Sequence, residues 1–382
     1  MVRVTVSERL LGWAVERSGR PEVIGRRFPK LPEWLTGESL PTLRQLEQLA
    51  NATFTPLGYL FLQEPPQEAL PIPHFRTLGD QPSIRPSPDL LETVQTMERR
   101  QAWMRDYLID EGCEALEFPG SMPIKEDPAQ VAHMMREILG LAEGWASEQP
   151  TWTAALRELQ NRIDEAGVLV AVNGVVGNNT HRTLDPDEFR GFVLTDEYAP
   201  LVFINGADGK AAQMFTLAHE LAHVWFGRSA AFDLRGLQPA RDEGERACNR
   251  AAAEFLVPSR ELRDTWPSIQ REPDCFQAAA RQFKVSEIVA ARRALDLRLI
   301  SEARFHDFYH AYEEQDRRSR VRQKGGDFYA SQNLRLGRRF AETVVRAARG
   351  GRLLYRDAYQ LTGLYGESFE KYAHRLGLEG AA

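Results

Sequence analysis

Two histidines flank a glutamate in the run Gln213-Met-Phe-Thr-Leu-Ala-His219-Glu220-Leu-Ala-His223-Val-Trp225. Apolar Met214, Leu217, Ala218, Leu221, Ala222 and Trp225 recur around them at helical spacing, so the run reads as a helix seated in a core. On a helix, residues four apart lie about 40° apart around the axis and one turn along it, so both imidazoles reach one ion. Glu220 is rotated away and faces a water on that ion rather than the ion itself. Zinc at such a site lowers the pKa of the water toward neutrality and polarises a scissile carbonyl. The carboxylate takes the proton and returns it to the leaving amine. The spacing therefore predicts one Zn2+ per chain, with His219 and His223 as ligands and Glu220 as general base.

A catalytic tetrahedral site needs a third protein ligand and one open position. The stretch Glu243-Gly-Glu245-Arg-Ala-Cys-Asn249-Arg-Ala-Ala-Ala-Glu254-Phe-Leu-Val-Pro258 offers acids on an alanine-rich helix whose small residues suit close packing. Glu245 and Asn249 are four apart and share a face, so Glu245 is the expected ligand and Asn249 its support from behind. Glu243 is the rival ligand. Asp242 and Glu243 flank the helix start, where the dipole alone accounts for acids. Glu254, near the far end, is expected in solvent.

The remaining histidines say less. His181 stands in the polar loop Asn178-Asn-Thr-His181-Arg182, where it could donate a hydrogen bond to a tetrahedral intermediate, although a surface position explains it as well. His306 and His310 repeat the four-residue spacing, but Asp307 follows in place of glutamate and aromatic residues surround them, as on an ordinary packed helix. His74 sits in a proline-rich stretch with no partner in sequence.

The elements that must position these residues follow from periodicity and breakers. A helix over about Thr153–Ala166 ends at Gly167 and runs into strand Val168–Val172; strands Phe189–Leu194 and Leu201–Ile204 come next. The metal-type helix spans Lys210 to Gly227, and the alanine-rich helix spans Glu243 to Leu256, stopped by Pro258. Two short helices fill 275–300, the second capped by Ser286. Upstream, residues 90–118 and 128–142 are helical in pattern, after a proline-rich stretch from Glu64 to about Leu90. The expected fold class is α+β and mostly helical, a metallopeptidase core with a small sheet between helical N- and C-terminal domains. The expected domains are 1–64, 65–150 (linker and helices), 151–270 (peptidase), 271–315 (small helical module) and 316–382 (basic and helical).

Phe215-Thr-Leu-Ala-His-Glu-Leu-Ala-His223, Glu245-x-x-x-Asn249 and Phe255-Leu-Val-Pro258 together resemble the ImmA/IrrE family of bacterial metallopeptidases. Arg190-Gly-Phe192, Leu201-Val-Phe-Ile-Asn205 and Phe283-Lys-Val-Ser286 extend the likeness over about residues 160–310. It implies a minimal zincin-like fold and cleavage of a cytosolic protein, typically a helix-turn-helix repressor. The chain departs at Ala251, where the family usually has phenylalanine, and at Cys248, where alanine is common. Residues 1–64 resemble a phage-repressor helix-turn-helix through Trp34-Leu-Thr-Gly37 and Pro41-Thr-Leu-Arg-Gln-Leu46. The segment that would read DNA is short and holds two prolines, and eight basic residues against seven acids leave this module at +1. A degenerate module for protein contact is the better reading.

Residues 316–356 hold twelve Lys or Arg against three acids, a net +9 that stands out in a chain of net charge −6. Arg317, Arg318, Arg320 and Arg322 head this run and are the candidate contacts for nucleic acid or an acidic partner; a solvated surface is the plainer account. Three scattered cysteines (113, 248 and 275), an N-terminus without a secretory pattern and the lack of any run of about 18 apolar residues point to a cytoplasmic protein with no membrane span. The leading expectation is a zinc endopeptidase acting on a repressor, with a toxin or other neighbouring-gene product as a further partner. Its rivals are an antitoxin or regulatory binding protein that keeps the fold as a scaffold, and a DNA-binding transcriptional regulator.

Overall fold

The computed structural model describes residues 3–68, 70, 86–228, 230–232, 242–319 and 328–378. They divide into two compact units, one of residues up to 70 with 86–95, the other from residue 96 onward.

The first unit holds α1 (Glu8–Arg17), α2 (Pro21–Arg27), α3 (Leu31–Leu35) and α4 (Leu43–Ala52), followed by a 3-10 turn over Leu57–Phe61. Pro21 opens α2 where its missing N–H is harmless. Thr42 opens α4 reciprocally: its hydroxyl accepts from the Gln45 N–H, and the Gln45 side chain accepts from the Thr42 N–H at 2.8 Å. Leu11, Trp13, Ala14, Ile24, Phe28, Trp34, Leu46 and Leu49 make its core.

The chain continues through α5 (Pro88–Asp110), α6 (Pro128–Ile138) and α7 (Trp152–Glu165). Then come β1 (Leu169–Asn173), β2 (Val175–Val176), β3 (Asn179–Thr183), β4 (Gly191–Leu194), β5 (Leu201–Asn205), α8 (Lys210–Trp225) and β6 (Ala230–Phe232). The sheet order is β1-β5-β4-β6, with β1 parallel to β5 and β4 antiparallel to both its neighbours; β2 and β3 form a separate hairpin. After the sheet lie α9 (Glu243–Leu256), α10 (Ser259–Ile269), α11 (Cys275–Phe283), α12 (Glu287–Asp296) and α13 (Glu302–Ser319). One apolar core runs through this unit from Phe118 to Phe305, drawing on α6 to α13 and the sheet. No described helix is long and apolar enough to cross a membrane.

Some boundaries differ from expectation for local reasons. The helix expected over 90–118 stops at Asp110, because Gly112 takes a positive φ and the chain turns so that the Leu116 N–H can donate to the Glu197 carbonyl at 2.8 Å. The one expected over 128–142 stops at Ile138, ahead of Gly140, also at positive φ. Ser286 caps α12 as expected, its hydroxyl accepting from the Val289 N–H.

The last helices are α14 (Phe328–Leu336), α15 (Arg338–Arg349), α16 (Tyr355–Thr362) and α17 (Glu367–Arg375). α14 runs beside β1, an edge strand, and Gly337 has no Cβ where one would stand 2.8 Å from the Val170 carbonyl oxygen. Asp164, on α7, accepts the Arg339 N–H at the start of α15. In the β2–β3 turn, Asn178 accepts from Gln332 and Arg335 and donates to the Gly363 carbonyl at 2.8 Å.

Candidate metal centre

α8 carries His219, Glu220 and His223 and lies on β4 and β5. The close approach depends on Gly191: a Cβ there would stand 2.8 Å from Thr216 Cγ2 and 3.2 Å from Glu220 Cγ. The far end of α8 is held by backbone bonds from Gly120 to Val224 and from Met122 to Trp225, with Phe118 stacked on Trp225 at 4.5 Å. α9 packs against α8 and carries buried Ala247, Cys248, Ala251 and Ala252; such small side chains let neighbouring helices come close enough for a carboxylate on one to meet imidazoles on the other. Asp242 caps α9, accepting the backbone N–H of Glu245 at 3.1 Å.

The three donors converge. His219 Nε2 lies 3.2 Å from Glu245 Oε2, His223 Nε2 lies 3.3 Å from Glu245 Oε1, and the two Nε2 atoms are 3.1 Å apart. All three residues are buried. Donors about 2.0–2.1 Å from one ion at tetrahedral angles stand roughly 3.3 Å from one another, so this triangle has the size that zinc requires. The hydrogen bonding points the same way. His219 Nδ1 lies 3.1 Å from Asn249 Oδ1, an acceptor, so Nδ1 carries the proton and Nε2 presents its lone pair. That lone pair faces a carboxylate oxygen, a repulsive pairing that a cation between them relieves. Burial pushes the Glu245 carboxyl up, and positive charge at the histidines beside it would pull it well below the usual carboxylate range. Burial lowers His219, keeping its imidazole neutral as a ligand must be.

Glu220 is fully buried, and neither carboxylate oxygen has a hydrogen-bond partner among the described residues. Burial pushes its carboxyl well above the ordinary value, and the charge of Glu245 adds to the rise. An orphaned buried carboxylate is costly, and such groups concentrate where chemistry is done.

The structure brings His219, His223, Glu245 and Asn249 together and leaves the other candidates apart. Glu243, the rival ligand, is exposed. Glu254 is not in solvent: it is buried, ion-paired with Arg293 from α12, and accepts from the Ser259 N–H at 2.9 Å and hydroxyl at 3.0 Å. His181 lies on β3 rather than in a loop, with an exposed side chain that no hydrogen bond joins to the trio among the described residues. His306 and His310 are exposed on α13. His74, Arg320 and Arg322 lie outside the described residues, as do the side chains of Arg317 and Arg318 in the last turns of α13. The described arginines of the basic region are largely engaged internally: Arg338 and Arg346 with Glu342, Arg349 with Glu370, Arg352 with Glu111 and Arg356 with Asp357. Sequence reasoning missed the part played by Asp242, although its place three residues before Glu245 is the spacing of a helix cap. It also missed the ion pair that Arg228 makes with Asp242, for which no local signal exists.

Residues 164–295 match the family model of the IrrE N-terminal-like domain, Peptidase_M78. That match runs from the end of α7 into α12 and contains every member of the trio together with Glu220 and Asn249. The centre of the chain is therefore similar to a metallopeptidase-type domain. A second match, to a domain of unknown function (DUF8813), covers residues 336–375, the α15–α17 segment. Neither match touches residues 1–64. No curated protein and no solved structure matches the chain.

Proposed function

We propose that the chain is a zinc-dependent endopeptidase that hydrolyses a peptide bond in a cytosolic regulatory protein, a helix-turn-helix repressor being the substrate class. One observation carries this reading: a buried carboxylate, Glu220, without a hydrogen-bond partner among the described residues, accompanies three donors that converge on one point. His219, His223 and Glu245 would hold the metal and leave one position open. When bound, zinc supplies a Lewis acid that acidifies water and polarises a carbonyl.

The chain's own residues do the rest. Glu220 takes the proton of the attacking water on a carboxylate oxygen and returns it to the leaving amide nitrogen. Asn249 holds the proton of His219 at Nδ1, which keeps Nε2 pointed at the metal position. The apolar faces of α8 and α9 keep bulk water out, so the carboxylate is not levelled by solvent. A binding scaffold has no need of Glu220, since that side chain supports neither the ligands nor the core.

The test is Glu220→Gln in the full chain, incubated with the repressor or other product encoded beside it. Zinc content and melting temperature should match the wild type, and cleavage should fall by about 10²–10⁴-fold. Undiminished turnover of a substrate that the wild type cleaves would overturn the assignment.

A further inference from the structure

Arg228 follows the turn after α8, and its backbone N–H donates to the His223 carbonyl at 3.1 Å. Its guanidinium Nη1 reaches across to Asp242 Oδ1 at 3.2 Å, the same oxygen that accepts the Glu245 N–H at 3.1 Å. A continuous path thus runs from the backbone of one metal-type ligand to the backbone of another, through two side chains. It bypasses the chain between residues 228 and 242. Gly244 lies under this bridge: a Cβ there would overlap Arg228 Nη1, stand 2.7 Å from its Cζ and 3.0 Å from Asp242 Oδ1. Gly244 has no positive φ to account for the glycine. It occupies the first turn of α9, where backbone conformation does not call for glycine. A Cβ at 244 would instead push the Arg228 guanidinium off its present position against Asp242.

We propose that Arg228 and Asp242 are positioning residues that clamp α9 to the end of α8 and set Glu245 against His219 and His223, and that residue 244 is glycine so that the clamp can close. This rests on the zinc site proposed above. Outer groups that orient metal ligands change affinity by about 10–100-fold when removed.

Zinc dissociation constants of the full-length protein, measured by competition with a chromophoric chelator, test the clamp alongside metal-free melting temperatures. Arg228→Ala, Asp242→Ala and Gly244→Ala should each weaken zinc about tenfold. Asp242→Asn should restore most of the loss, because asparagine also caps a helix and accepts from arginine. Gly244→Ala carries the sharpest expectation. It should weaken zinc without lowering the metal-free melting temperature, and it should add nothing once Arg228 is already alanine, because both changes break one contact. Wild-type affinity in Gly244→Ala, an equal cost with and without Arg228, or a parallel drop in metal-free stability would each overturn the clamp. A wild-type protein that binds no zinc takes the metal site and the clamp down together. A wild-type protein that binds zinc, with variants that bind it equally well, removes the clamp alone.

Discussion

His219 and His223 on α8 share their four-residue spacing with His306 and His310 on α13. The first pair is buried, and a second helix delivers a carboxylate and a carboxamide to it; the second pair is exposed, with an aspartate beside it and aromatic rings around it. Spacing on one helix aims two imidazoles in one direction, but it does not remove water or bring a third donor. Those come from α9, whose alanines let it approach, and from Gly191, which lets α8 settle on the sheet. The buried acids form a similar series. Among the described residues, Glu220 has no hydrogen-bond partner, Asp164 has one oxygen bonded and one without a partner, and Glu254 is satisfied by Arg293 and Ser259.

The contrast between the histidine pairs breaks most sharply in metal content. His223→Ala should take zinc from one ion per chain to almost none by elemental analysis, whereas His306→Ala with His310→Ala should leave it unchanged; equal losses would show that burial does not select the site. Among the acids, Arg293→Ala strands a buried charge, and removing one partner of a buried pair costs about 3–5 kcal/mol, which chemical denaturation should show. Adding Glu254→Gln should recover part of that loss.

Asp164 gives the smallest effect and the one that depends on pH. Burial raises its carboxyl to about 6 from an ordinary 3.8, against the pull of the Arg339 N–H and charge, with Glu342 and Glu165 reinforcing the rise. A raised folded-state value means that this group's stabilising contribution is complete below about pH 3.8 and is lost as pH climbs through about 6. Wild-type stability relative to Asp164→Asn should therefore fall by about 2 kcal/mol between pH 4 and pH 7. A flat difference across that range would place the charge in water.

The metal-type helix was legible because its signals are local: apolar residues at helical spacing, two histidines one turn apart, and an alanine-rich helix closed by Pro258. The three main strands were found within one or two residues for the same reason. The β2–β3 hairpin was not, since β3 is Asn-Thr-His-Arg-Thr, polar and mostly exposed, with no alternation to mark it. Glu254 was misplaced because its partner stands 39 residues on in sequence; the partner of Arg349 stands 21 residues on, and that of Arg352 is Glu111, far back in the chain. The tight surroundings of Gly191 come from α8 and from the Phe203 carbonyl on β5, and those of Gly244 chiefly from Arg228, none of them local in sequence.

The bonds from Asn178 to Gly363 and from Asp164 to Arg339 close loops of 185 and 175 residues, and β1 has a single sheet neighbour, β5. A ribosome adding roughly 5–20 residues per second therefore finishes β1 on the order of ten seconds or more before the helices beside it exist. During that interval one edge of the strand offers unpaired N–H and C=O groups to any neighbouring chain. The sheet beneath the metal centre thus passes through synthesis with an open flank, and the time at which α14 arrives beside β1 sets how long the nascent protein needs shielding.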